Sequence, residues 1–194
     1  MRTVKFGSLT FAACALACTL SLPAHAQQDF NIFNAFFGSP FGITAGGSAF
    51  PRQSVAIDPK YAPGDIVVST TERRLYFVTA RGRAVMYGVG VGRDGFQWSG
   101  VKVVSAKREW PSWTPPAQML KRRPDLPRHM PGGIENPLGA RALYLGSSLY
   151  RIHGSNEPET IGQAVSSGCI RMTNADVEDL YNRVRVGAKV YVLR

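Results

Sequence analysis

From residue 63 onward the chain runs in short apolar stretches separated by polar turns, the texture of half-buried strands rather than of long helices. Ile66-Val67-Val68-Ser69 predicts a first strand and Arg74-Leu75-Tyr76-Phe77-Val78 a second, with Thr70 to Arg73 as the polar turn between them. Arg81-Gly82-Arg83 predicts the next turn, Ala84 to Val91 a third strand and Val101 to Ala106 a fourth. Gly139 to Leu145 and Leu149 to His153 predict a hairpin turning at Gly146-Ser147-Ser148, which puts His153 at a strand end; Lys189 to Leu193 closes the sheet. One stretch has helical spacing. Asn174 to Val184 places Val177, Leu180, Tyr181 and Val184 on one face, acids in its first turn and Asn174 as the cap, and Gly187 follows its end. The pattern predicts a mainly β fold with a few helices, a sandwich or barrel-like arrangement.

Three stretches depart from that pattern. Residues 1–26 open with Arg2 and Lys5, continue in an apolar run from Phe6 to Leu22 and end in Ala24-His25-Ala26, the A-x-A pattern of a cleaved secretory signal peptide. Neither Cys14 nor Cys18 has a Leu three positions before it, so lipidation is not expected. Residues 27–62 are rich in Phe, Asn, Gly and Ser and poor in charge, and predict a loosely packed extension with one short amphipathic helix through Phe30, Phe33 and Phe37. The folded domain is expected over 63–194. Inside it, residues 107–137 form a long irregular insertion carrying Trp110, Trp113, Lys121, Arg122, Arg123, Arg128 and His129. An insertion of that length is usually functional, and its basic and aromatic content suits a lid; Trp110 and Trp113 are either part of it or core residues beneath it.

The glycine run from Gly88 to Gly95 resembles a phosphate loop only superficially, because the spacing is wrong and no helix is predicted after it. It reads as close-packed strand and turn positions.

Composition narrows the chemistry. The formal charge is +10, and loss of Arg2 and Lys5 with the leader leaves +8, a balance suited to acidic surroundings such as anionic lipid or an acidic wall polymer. Export argues against nucleic acid as the partner. Cleavage also removes Cys14 and Cys18, leaving Cys169 as the one cysteine of the mature chain. In an oxidising compartment such a thiol has no intramolecular partner, so it is either inert and buried or reactive. Its setting, Ser166-Ser167-Gly168-Cys169-Ile170-Arg171, is a partly exposed corner that favours the second reading. Two mature histidines and one cysteine cannot make a closed zinc site, so no metal is expected. A thiol needs a base, and the candidates are His153, at a strand end 16 residues before Cys169, and more weakly His129 in the insertion.

The order His153-Gly154, then Ser166-Ser167-Gly168-Cys169-Ile170-Arg171-Met172-x-Asn174, resembles the signature of the YkuD-type L,D-transpeptidases of bacterial cell walls. The likeness takes in Pro111-Ser112-Trp113, Asn136-Pro137-Leu138-Gly139 and the closing helix and strand. The resemblance implies a β-sandwich or mixed sheet with an irregular lid insertion. It implies Cys169 as nucleophile, His153 as general base with the Gly154 carbonyl orienting its ring, and the N–H groups of Gly168 and Cys169 as oxyanion donors. Arg171, Ser166, Ser167 and Trp113 are the expected substrate contacts, and Asn174 is assigned to helix capping. Two departures stand out: Ser167 occupies a position often held by His, and Gln97-Trp98-Ser99-Gly100 replaces a Thr-Pro-x-Gly segment.

The implied reaction is periplasmic acyl transfer without a cofactor, from a peptidoglycan tetrapeptide stem to an amine on a second stem, an outer-membrane protein or a lipoprotein. A thiol hydrolase or amidase on the same fold, and a non-catalytic wall-binding module, are the competing readings.

Overall fold

The computed structural model describes residues 50–194. The expected signal peptide and the helix expected through Phe30, Phe33 and Phe37 lie outside the described residues.

The strands are β1 (Gln53–Ala56), β2 (Ile66–Ser69), β3 (Arg74–Ala80), β4 (Arg83–Gly88), β5 (Val91–Gly92), β6 (Gly100–Glu109), β7 (Arg141–Leu145), β8 (Arg151–His153), β9 (Ala164–Ser166), β10 (Ile170–Arg171) and β11 (Lys189–Leu193). Two helices, α1 (Ala117–Arg122) and α2 (Asn174–Arg183), and a 3-10 turn at Pro158–Thr160 complete the described residues. Nine strands form one sheet in the order β1-β4-β3-β2-β11-β6-β7-β8-β10, and β5 pairs with β9 beside it. The sheet is mixed, with β2–β11 and β8–β10 parallel and the other pairs within it antiparallel. This is the mainly β, mixed-sheet class that the apolar pattern predicts.

Strand β6 joins the two halves. Its first residues pair with β11, Val103 opposite Lys189, and its last with β7, Glu109 opposite Arg141. Helix α2 lies on β7 and β8 and buries Val177 and Leu180 in the core with Leu75, Tyr87, Leu143, Ile152, Ile170 and Met172. Burying a side chain of this kind contributes about 1.5–3 kcal/mol, so one apolar stripe is enough to fix the helix on the sheet. Lys107 adds a polar tie, donating to the Tyr181 and Val184 carbonyls at 2.5 and 2.7 Å, where the helix leaves its last carbonyls unpaired.

Two boundaries differ from expectation. Residues 53–62 are packed on the domain rather than loosely attached. β1 pairs with β4, Arg52 bridges Asp176 and Asp179 of α2 at 3.2 Å each, and Tyr61 is buried against Val67 and Val78. The predicted third strand is also two strands, β4 and β5. Gly88 packs so closely on Phe50 that a Cβ there would clash, and Gly90 leaves the strand to bridge Arg171.

Candidate active site

In the parallel pair β8–β10, Ile152 lies opposite Ile170 and His153 opposite Arg171. Both isoleucines are buried in the core. Side chains alternate across a strand, so Arg151 and His153 on one element, and Cys169 and Arg171 on the other, face the opposite way. That face is one wall of a cavity of about 390 Å³. Trp113, Pro116, Met119 and Arg122 of the insertion, Phe96 from the loop after β5, and Leu149 and Tyr150 line the rest of it. The insertion therefore supplies part of the cavity lining.

His153 is buried, and its Nδ1 lies 2.5 Å from the Gly154 carbonyl oxygen. A carbonyl only accepts, so Nδ1 carries the proton and Nε2 keeps its lone pair. Burial holds the imidazole down to about 3, Arg171 and Arg151 push the same way, and the Gly154 bond opposes them. The ring is therefore neutral at physiological pH.

Cys169 is half-buried, and its thiol donates to the Leu149 carbonyl at 3.6 Å. Burial pushes the thiol up from its ordinary value, while Arg151 and Arg171 pull it down. In this state the thiol bonds Leu149 rather than His153, and the pair rests as neutral thiol beside neutral imidazole, with no thiolate–imidazolium pair.

The loop before Cys169 is held by Ser166. Its hydroxyl donates to the Cys169 carbonyl at 2.6 Å and accepts from the Gly168 N–H at 3.1 Å. These bonds involve two groups expected to meet substrate. The Gly168 N–H, expected to face a substrate oxyanion, is bonded inside the loop. Ser166 is buried and lies on the cavity wall, and its hydroxyl is engaged in holding the loop. Ser167 is half-buried on the same wall.

Arg171 lines the cavity and is also ion-paired, its Nη1 lying 3.0 Å from Glu157 Oε2. Trp113 is on the cavity wall, fixed by reciprocal backbone bonds with Met130 at 2.8 Å each way. Trp110 is 43% exposed, so it is not a core residue beneath the loop. His129 bonds Thr114 and is absent from the cavity wall, which leaves His153 as the histidine beside the thiol. Among the described residues no three of His, Cys, Asp and Glu converge as a metal site.

Asn174 is a correction. The cap of α2 is Thr173, which accepts from the Asp176 N–H, and Asn174 is the first residue of the helix. Its Oδ1 instead accepts the Ala140 N–H at 2.9 Å and sits where side chains on Gly139 or Gly154 would stand. One amide thus clasps the Gly139 turn to the Gly154 backbone on which His153 depends. Arg151 was also missed. It lies beside the thiol, and its buried Nε has no hydrogen-bond partner among the described residues. A glycine before Cys169 and an arginine two residues before His153 are visible in the sequence, but nothing there signals which backbone atoms they meet.

A family model described as the L,D-transpeptidase catalytic domain, YkuD, matches residues 63–192. The chain belongs to this family. It is 33% identical to Probable L,D-transpeptidase ErfK/SrfK of Escherichia coli strain K12, over 90% of this chain and 62% of that protein. It is 36% identical to Probable L,D-transpeptidase YcfS of the same strain, over 66% of this chain and 43% of that one. The chain thus spans less than two thirds of these relatives.

The crystal structure of L,D-transpeptidase 3 from Mycobacterium tuberculosis shares the fold at 18% identity and a TM-score of 0.54, over 66% of this chain and 60% of that one. A crystal structure of a probable carnitine operon oxidoreductase caia from Brucella melitensis is 43% identical, over 76% of this chain and 96% of that one, with a TM-score of 0.52. That name points to redox chemistry, but the glycine run here offers no dinucleotide cradle. Gly88 and Gly92 are filled by Phe50 and the Phe96 carbonyl, and strand β6, not a helix, comes next.

Proposed function

We propose that this chain is a periplasmic cysteine acyltransferase, a peptidoglycan L,D-transpeptidase. The observation that carries the reading is the shared cavity wall of β8 and β10, where the Cys169 thiol and a neutral His153 with its Nε2 lone pair lie on one face. The leader-like residues 1–26 support export, and among the described residues no helix is long and apolar enough to cross a membrane.

In this reading a tetrapeptide stem enters under the lid, against Trp113 and Ser167, and its terminal carboxylate is drawn to Arg171, which Glu157 holds in place. Cys169 Sγ leaves the Leu149 carbonyl and attacks the carbonyl carbon that links the stem's diamino acid to D-alanine. The thiol proton passes to His153 Nε2, and the carbonyl oxygen becomes an oxyanion facing the Cys169 N–H. Collapse breaks the C–N bond, His153 returns the proton to the departing amine, and D-alanine leaves a thioester on Cys169. An acceptor amine then repeats the sequence in reverse and frees the thiol. A second stem as acceptor gives a 3–3 cross-link; an amine of an outer-membrane protein or lipoprotein gives attachment of that protein to the wall. No step draws on a cofactor.

The test is incubation of the mature protein, and of Cys169→Ala, with purified disaccharide tetrapeptide, followed by mass spectrometry. Loss of D-alanine with formation of a cross-linked dimer, absent in the variant, is expected. Unchanged tetrapeptide, or D-alanine released at the same rate by the variant, refutes the reading.

A further inference from the structure

The loop that carries Cys169 is braced by a residue outside the family's His and Cys motifs. The Trp98 indole Nε1–H donates to the Gly168 carbonyl at 2.8 Å. The indole is stacked on Tyr150, with ring centroids 4.6 Å apart and planes 10° apart, and Lys102 Nζ lies 5.4 and 5.6 Å from the two rings. Tyr150 in turn fills the space beside Gly168, where a Cβ would come within 2.5 Å of its Cε1. The indole N–H therefore comes from a rigid platform.

A trans peptide is planar, and its C=O and N–H point to opposite edges of the plane. The bond that fixes the Gly168 carbonyl thus also fixes the direction of the Cys169 N–H. The neighbouring polar groups are already used, since Ser166 takes both the Gly168 N–H and the Cys169 carbonyl. Of these backbone groups the Cys169 N–H is the one left without a protein acceptor among the described residues.

We propose that Trp98 is a positioning residue for acyl transfer: by holding the Gly168 carbonyl it aims the Cys169 N–H at the oxygen of the carbonyl that the thiol attacks. The inference rests on the acyl-transfer reading of Cys169 but not on the identity of the acyl donor. It separates two reactions of one thiol. Attack on an ester carbonyl builds an oxyanion and needs the aimed N–H, whereas displacement of iodide from iodoacetamide builds none.

The test compares the wild-type chain with Trp98→Phe, which keeps a stacking ring and removes the N–H. Each is treated with p-nitrophenyl acetate and, separately, with iodoacetamide, and adducts on Cys169 are followed by mass spectrometry. Losing an oxyanion donor outright slows acyl transfer by 10²–10³, so misdirecting one is expected to slow acetylation by at least about tenfold. Alkylation is expected to stay within about twofold, since no oxyanion forms.

Unchanged acetylation overturns the proposal, and so does an equal fall in both rates, which would mean only that the loop had collapsed. Should Trp98→Phe fail to fold, site-specific replacement of Trp98 by benzothienylalanine removes the N–H at constant ring shape and faces the same two criteria. A wild-type Cys169 that is alkylated but never acetylated refutes the acyl-transfer reading itself, and with it the basis of this inference.

Discussion

Acid should destabilise this fold through His153. The imidazole titrates near 6.5 when free and is held at about 3 in the folded chain by burial. Above 6.5 neither state binds the proton, and stability carries no contribution from it. As the pH falls below 6.5 the unfolded chain takes up a proton that the native site refuses, so stability drops and goes on dropping until the folded value is reached. From pH 6.5 to 4.5 is two units at about 1.4 kcal/mol each, a loss of roughly 3 kcal/mol.

Carboxylates titrate over part of the same range. Burial raises Asp176, whereas Asp179 is lowered by its bonds from Arg183 and Tyr87, which outweigh its own burial. The measurement is therefore a difference. Urea unfolding of the wild type and of His153→Gln at pH 7.5 and 4.5 cancels the groups common to both. The wild type is expected to lose roughly 3 kcal/mol more than the variant. A differential loss below about 1 kcal/mol, or an NMR titration of His153 near 6.5 in the folded protein, refutes the buried neutral ring.

The thiol gives a second pH prediction. Burial raises Cys169, so its alkylation should keep accelerating with pH beyond the range where a free thiol levels off. An alkylation profile that is already flat between pH 6 and 8 contradicts it. Asn174→Ala should strand the Ala140 N–H and loosen the Gly139 and Gly154 backbone, costing about 1–3 kcal/mol in urea unfolding. It should also slow acetylation of Cys169, because the Gly154 carbonyl that fixes the His153 tautomer shares that contact; stability and rate both matching wild type would remove Asn174 from the site.

How much of this was written in the sequence follows from how local each signal is. Ile66–Ser69 and Lys189–Leu193 were legible because their apolar residues alternate or run together over a whole strand, and α2 because its stripe has the helical period. Gln53–Ala56 has no such pattern and is mostly exposed; it is a strand only because β4 offers an edge. β9 and β10 have three and two residues, too short to carry a period. Their place comes from long-range pairing, and β10 with β8 forms one wall of the cavity. The residues of the site were legible as a motif, but the hydrogen bonds were not. Ser166 and Gly168 look alike as small loop residues facing a substrate, and only the fold shows that they bond each other.

Burial and charge on the cavity wall together leave the resting pair neutral, and the same charge favours the acyl transfer proposed above. Arg151 and Arg171 both disfavour a proton on His153 and both favour negative charge on Cys169. Burial opposes either ionisation, so with the cavity empty the thiol keeps its proton and the imidazole its lone pair. A carbonyl bound beside them changes the balance, because the negative charge formed on attack moves from sulfur to the carbonyl oxygen. There it meets the Cys169 N–H as well as the two guanidinium groups. Proton transfer to His153 is then coupled to formation of an anion that this wall stabilises, rather than to an isolated thiolate in an apolar site. The same argument accounts for the depressed imidazole. A ring that held its proton at neutral pH could not take one from the thiol, whereas in the proposed reaction the neutral ring on β8 accepts it as the oxyanion forms and returns it to the leaving amine.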